Sequence, residues 1–314
     1  MSQALTAVLF PGQGSQAIGM GAAFHETSSE AREIMALAER CTNLPLGELC
    51  HAGPMEALTR SENLQPALTV TNLICWQAAK AAGVKADFFA GHSLGEYSAL
   101  AAAGVLEFEA ALKFVALRGR VMGREGEKHP GGMRAVLGLT LPQVQAIVDQ
   151  VAMPQALSIG NHNSEQQAVL SGTLSALDRA SELALAAQAK VVPLAVSIAN
   201  HSPLMAGALP DIEAAMREAR FQRPATPVLF NVTASAVSEP DEIRSTMARQ
   251  VVSMVRWHEI VNNLYAAGVR NFVEVGPGKV LTGLLKRILP KEAVVQALRV
   301  DSPETLAQTL ASLG

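Results

Sequence analysis

Residues 86–104 constrain this chain more than any other stretch. A short apolar run, Phe88–Ala90, breaks at Gly91, and Leu94–Ala103 is then rich in good helix formers before Gly104. Between them lies Gly91-His92-Ser93-Leu94-Gly95, which fits the pattern G-x-S-x-G. That pattern belongs to a strand-to-helix turn so tight that its central residue takes a strained backbone and projects its side chain. Glycines on either side let strand and helix approach. The serine oxygen then lies at a helix N-terminus, where backbone N–H groups favour developing negative charge. Ser93 is therefore the candidate nucleophile.

A serine hydroxyl is a weak nucleophile until a base removes its proton. Seven histidines are available: His25, His51, His92, His129, His162, His201 and His258. His92 adjoins Ser93, but neighbours in a tight turn point apart, so it is expected to support the site without acting as the base. His201 is the best candidate. It precedes Ser202, an N-cap residue, and Pro203, a first-turn residue, which puts it on a strand-to-helix loop. An α/β-hydrolase carries an Asp or Glu between serine and histidine in chain order. Here the intervening acids lie mostly in a different unit of the chain.

The rest of the chain alternates strands with helices, which argues for α/β with a mainly parallel sheet. Strands are expected at 4–10, 88–90, 224–232 and 271–275, and helices at 22–41, 65–82, 107–122, 241–255, 258–268 and 279–288. A helix from Pro203 to about Phe221 carries Pro210 as a kink. Lys128–Gly132 reads as a Pro/Gly-rich break. The stretch beyond it has the order β-α-β-β-α-β of a ferredoxin-like unit: 133–139, 141–151, 156–160, 167–170, 174–189 and 191–196.

Two glycine loops follow strands. Pro11-Gly12-Gln13-Gly14-Ser15-Gln16 with Ala17 satisfies a dinucleotide fingerprint, but no second strand with a terminal acid follows it, so it reads as a turn that brings backbone N–H groups close to a ligand. Gly276-Pro277-Gly278-Lys279 lacks phosphate-loop spacing and reads as the floor of a site. Arg118 falls inside the apolar stripe Phe114, Leu117, Val121 and Met122. A buried arginine needs an anion opposite it. That anion is either Glu96, in an internal salt bridge, or a substrate carboxylate held by the guanidinium fork.

Composition narrows the function classes. With 314 residues the chain suits one large domain or two moderate ones. A net charge of −3 points to neither nucleic acid nor an anionic membrane surface. Three cysteines, Cys41, Cys50 and Cys75, form no C-x-x-C pair, so no metal site or disulfide framework is expected, and a reducing, cytoplasmic setting fits. The opening apolar run has no basic region before it and reads as a strand, not a leader. No apolar run reaches the roughly 18 residues of a membrane span.

Taken in order, Phe10-Pro11-Gly12-Gln13-Gly14-Ser15-Gln16, Gly91-His92-Ser93-Leu94-Gly95-Glu96-Tyr97, Arg118, His201, Gln250 within Ala248-Arg249-Gln250, and Glu274-Val275-Gly276-Pro277-Gly278 resemble the malonyl-CoA:acyl carrier protein transacylases. The resemblance spans almost the whole chain. It implies an α/β-hydrolase-like domain over 1–127 and 200–314, with a ferredoxin-like subdomain inserted at 128–199. It further implies that Ser93 carries a malonyl ester, that His201 is the base, and that a main-chain carbonyl near Gln250 orients it. Backbone N–H groups of Gln13 and Leu94 would form the oxyanion hole. Arg118 would grip the malonate carboxylate, with Gln65 nearby. Asn161 and Asn163 match an Asn-x-Asn element near the cleft, or are turn residues between two strands. Asn200 stands where relatives more often carry Phe or Ser, beside the acyl group's alpha carbon. Lys190 stands where relatives can carry Arg near the CoA.

The partners so implied are malonyl-CoA and holo acyl carrier protein. No cofactor of the enzyme's own is implied, since phosphopantetheine arrives on the carrier. The alternatives are a polyketide or malonate-decarboxylase acyltransferase, a serine thioesterase or other hydrolase, and a silent scaffold that docks carrier proteins. Two basic groups offer a surface for an acidic carrier: Arg118, Arg120, Arg124 and Lys128, or Lys286, Arg287 and Lys291.

Overall fold

A computed structural model describes residues 4–314; residues 1–3, the start of the expected 1–127 segment, lie outside it. Among the described residues nine strands form two sheets: β1 Leu5–Phe10, β2 Phe88–Gly91, β3 Gly131–Leu137, β4 Leu157–Ser164, β5 Gln167–Thr173, β6 Lys190–Pro193, β7 Val228–Leu229, β8 Val269–Val275 and β9 Gln296–Val300.

The larger sheet has the order β7-β2-β1-β8-β9, and every pairing in it is parallel. β1 is central and apolar on both faces, as a strand covered by helices on each side must be. Val8 and Phe10 pack toward the Ser61–Ala81 helix, against Leu73 and Trp76, whereas Ala7 and Leu9 face Trp257, Ile260 and Leu281. β2 leads directly into the helix Gly95–Ala102. The first glycine loop, the serine turn and Gly276 all follow strands of this sheet at their carboxyl ends. Parallel sheets bind ligands at that edge.

The smaller sheet, β4-β5-β3-β6, is antiparallel throughout. The helices Leu141–Val151 and Leu174–Ala186 pack on it through Val144, Ile147, Leu177 and Ala180. This is the expected β-α-β-β-α-β order. β4 also reaches the larger unit, where His162 N donates to Val255 O at 2.8 Å and Val255 N to Gly160 O at 2.8 Å.

Several expectations are corrected. The break at Lys128–Gly132 narrows to His129 and Pro130: the preceding helix runs Phe108–Lys128, and Gly131 and Gly132 begin β3. The segment 22–41 is two helices, Ala22–Thr27 and Ser29–Thr42, divided where the Ser28 side chain caps the second. Pro210 does not kink a helix; a 3₁₀ segment Pro203–Ala208 hands over to an α-helix Leu209–Glu218 just before it. The strand expected at 224–232 shrinks to β7, because Pro224 and Pro227 lack the N–H that a ladder needs. The helix expected at 241–255 ends at Ala248, and a 3₁₀ turn Gln250–Val252 follows. β9 and the C-terminal helix Pro303–Leu313 were not anticipated, although Ser302 and Pro303 form a legible helix start.

Candidate active site

Ser93 adopts φ 51°, the left-handed region that costs an L-residue energy, at the junction of β2 and the Gly95–Ala102 helix. The turn closes because its neighbours lack side chains. A Cβ on Gly95 would sit 2.1 Å from the Phe10 carbonyl oxygen, and one on Gly12 would sit 2.3 Å from the His92 carbonyl oxygen. The first glycine loop therefore lies directly on the serine turn. Neither the Gln13 nor the Leu94 amide donates a hydrogen bond among the described residues, so both stay available to an oxyanion beside Ser93.

His201 is buried, and its Nε2 lies 2.6 Å from Ser93 Oγ. Its Nδ1 is 3.0 Å from both the Gln250 and the Ser253 carbonyl oxygens. Two acceptors at Nδ1 require the ring proton there, which leaves a bare lone pair on Nε2 facing the hydroxyl. Burial, then the Arg118 charge, pull the imidazole down to about 3, so the neutral form persists. Among the described residues no carboxylate hydrogen-bonds to the ring. The 3₁₀ turn that replaces the expected helix end aims the main-chain carbonyls that take its place at the ring, the Gln250 oxygen also accepting from Ser253 N at 3.1 Å.

Arg118 is buried beside them. Its Nη1 donates to Gln65 Oε1 at 2.8 Å, and its Nη2 to Gln250 Oε1 at 3.1 Å and toward Ser93 Oγ at 3.4 Å. The salt bridge with Glu96 left open by the sequence does not form: Arg118 enters no ion pair among the described residues, and Gln250 stands between the two charges. Gln250 Nε2 donates to Glu96 Oε2 and to the Ser93 carbonyl oxygen. Burial raises the Glu96 carboxyl to about 7.

Asn161 and Asn163 are strand residues of β4, and the turn to β5 lies beyond them. The turn reading is thereby overturned. Asn163 Oδ1 and His92 Nε2 are 2.9 Å apart, while Asn161 Oδ1 is buried without a partner. With Gln13, Gln167 and Arg287 they line a cleft of about 330 Å³. Asn200 is half-buried; its carbonyl accepts from Ser171 Oγ at 2.5 Å, and its side chain makes no hydrogen bond to the site among the described residues.

Sequence reasoning missed Asn231. Its Oδ1 accepts from Ser93 N at 2.6 Å and its Nδ2 donates to Gly91 O at 2.7 Å, so one amide brackets the serine turn. Its own N–H donates to Glu96 Oε1 at 2.6 Å. The residue follows β7, inside a segment read as an uninterrupted strand, so the signal that could have found it was an Asn just past a strand end. Other chemistry is poorly supplied. Among the described residues no three His, Cys, Asp or Glu side chains group as metal ligands. Cys50 and Cys75 are buried, and burial pushes the Cys50 thiol up to about 12 and Cys75 higher still, well away from a reactive thiolate.

A parallel sheet whose loops gather a raised serine, a neutral imidazole and a buried guanidinium at one edge defines the class: an α/β enzyme of acyl-group chemistry. The chain belongs to the acyl transferase domain family, whose model matches residues 8–310, and within it to the malonyl CoA-acyl carrier protein transacylases. It is 38% identical to the transacylase of that name from Bacillus subtilis over 98% of this chain and 96% of that one. The Escherichia coli K12 relative is 36% identical, over 97% and 98%. The solved structure of the Coxiella burnetii malonyl CoA-acyl carrier protein transacylase superposes with TM-score 0.94 at 33% identity, covering 99% of this chain and 98% of that one. A type II PKS acyl-carrier protein in complex with its malonyl-transacylase gives TM-score 0.93 at 35% identity, covering 98% and 99%.

Proposed function

We propose that the chain transfers malonyl from malonyl-CoA to the phosphopantetheine thiol of acyl carrier protein, by way of a malonyl ester on Ser93. His201 Nε2 takes the hydroxyl proton as Ser93 Oγ adds to the thioester carbonyl carbon. The carbonyl oxygen becomes an oxyanion facing the Gln13 and Leu94 amides. Collapse breaks the C–S bond, and the proton on Nε2 passes to the departing CoA sulfur. The carrier's thiol then runs the same steps in reverse order, giving its proton to Nε2 and leaving Ser93 Oγ protonated. A thioester is exchanged for a thioester, so the site supplies positioning and electrostatics more than driving force.

The observation that carries this reading is Arg118: a buried guanidinium within reach of Ser93 whose partners are neutral amides. A hydrolase for neutral acyl chains has no use for such a cation, whereas a malonyl group ends in a carboxylate that fits its fork. In the same reading residues 128–199 form an inserted unit that brings Asn161 and Asn163 to the cleft, no cofactor is required, and the enzyme works in the cytoplasm. Among the described residues no helix is long and apolar enough to cross a membrane.

Intact mass after mixing with malonyl-CoA tests the assignment. One malonyl adduct is expected, mapped to Ser93 and discharged by holo carrier protein. A Ser93→Ala protein that still takes the adduct would refute it. Discharge by a polyketide carrier alone would move the enzyme to that pathway, the setting of the PKS carrier complex.

A further inference from the structure

Arg118 is only 3% exposed, yet no carboxylate contacts it, and its Nε has no partner among the described residues. Burying a cation this way is costly unless something nearby compensates. A carboxylate in direct contact would compensate it fully but would also occupy the fork that a substrate needs. The nearest carboxyl group on this relay stands one amide away. Glu96, 1% exposed, accepts from Gln250 Nε2 through one oxygen and from Asn231 N through the other, while Gln250 Oε1 accepts from Arg118.

The direction of that relay matters. Both Glu96 oxygens are used as acceptors, so the amide of Gln250 turns its nitrogen toward Glu96 and its oxygen toward Arg118. With the amide reversed, a donor would face the guanidinium's own donors and the cation would lose one of its two amide oxygens. We propose that Glu96 is a positioning residue for acyl selectivity: through Gln250 it holds Arg118 in place and leaves the guanidinium's charge unspent for the free carboxylate of the acyl group. The inference rests on the malonyl-transfer reading and extends it to a residue that touches neither substrate nor the reacting atoms. Its effect is confined to acyl groups that end in a carboxylate.

Glu96→Gln keeps the shape but presents an amide to Gln250, so of the two acceptors that hold the Gln250 nitrogen only the Ser93 carbonyl remains fixed and the orientation of residue 250 is loosened. Single-turnover acylation, followed by intact mass with malonyl-CoA and with acetyl-CoA as a neutral comparison, reads the result. The expected outcome is a tenfold or larger fall in the malonyl-to-acetyl ratio of kcat/KM, carried by a higher KM for malonyl-CoA. Equal loss on both thioesters would reduce Glu96 to structural support and overturn the proposal, as would no loss on either. Gln65→Glu tests the charge argument without touching Glu96 and keeps it falsifiable if Glu96→Gln folds poorly. A carboxylate at residue 65 would pair with Arg118 directly, so the ratio should fall tenfold or more there too, and an unchanged ratio would overturn the proposal. The unmodified chain separates the two readings. If it takes no malonyl group, the transfer reading falls and takes this inference with it; if it does, the variants judge Glu96 alone.

Discussion

Two nitrogens of one imidazole set the chemistry at residue scale. Both main-chain acceptors lie at Nδ1 of His201, so Nε2 is left to meet Ser93 Oγ at 2.6 Å. Burial holds the folded ring's proton affinity down to about 3, against an ordinary 6.5. Nitrogen NMR of histidine-labelled protein should therefore show His201 neutral, with Nδ1 protonated, and no titration through 6.5. A shift between ring forms near 6.5 would contradict this. The same displacement has a sign for stability. Below 6.5 the unfolded chain takes a proton that the folded chain refuses until about 3, so this residue makes folding less favourable as pH falls through that window. Ser93, His201 and Arg118 were legible one by one: the first from a local glycine pattern, the second from its loop position, the third as a misfit in an apolar stripe. Gln250's orienting carbonyl was not legible from residue chemistry, because every residue carries a carbonyl and only backbone geometry says which one faces the ring. That role entered through family resemblance.

The serine turn is a property of three elements: β1, β2 and the Gly95–Ala102 helix. The approach of that helix to the end of β1 leaves no room for a methyl group, since a Cβ at Gly95 would lie 2.1 Å from the Phe10 carbonyl oxygen. Backbone cannot yield as a side-chain tip can. Gly95→Ala should push the helix outward, separate Ser93 from His201 and lower malonyl acylation a hundredfold or more, together with a lower melting temperature. Near-normal acylation would show that the close approach is dispensable. Asn231 serves the same turn from just beyond β7, and its contact with Ser93 spans 138 residues of sequence. Register between parallel strands creates that contact, and no local pattern announces it. Element boundaries failed for a related reason. Prolines trimmed β7, the Ser28 cap split one helix into two, and β9 lies at an edge where half-exposed residues weaken the apolar signal.

At the scale of the whole molecule, the question is where an acidic carrier would land. The basic group at Arg118, Arg120, Arg124 and Lys128 is largely consumed within the fold. Arg118 is buried, while Arg124 and Lys128 both pair with buried Glu125, and Arg124 also pairs with Asp211. Lys286 and Arg287 remain exposed in the last turn of the Val280–Ile288 helix, and Arg287 borders the cleft that also contains Gln13 and Asn163. Charge reversal at Lys286 and Arg287 should raise KM for carrier protein about tenfold, with a stronger dependence on salt in the parent than in the variant, while acylation by malonyl-CoA is spared. Unchanged KM would remove that surface from consideration. The support of His201 has a different reach. Its two acceptors are peptide oxygens, present whatever amino acids occupy 250 and 253, so a saturation screen of side chains is blind to them. This buttress can be weakened only by reshaping the chain path or by editing the peptide linkage itself, and in that sense the gene has no single codon whose meaning is to orient the imidazole.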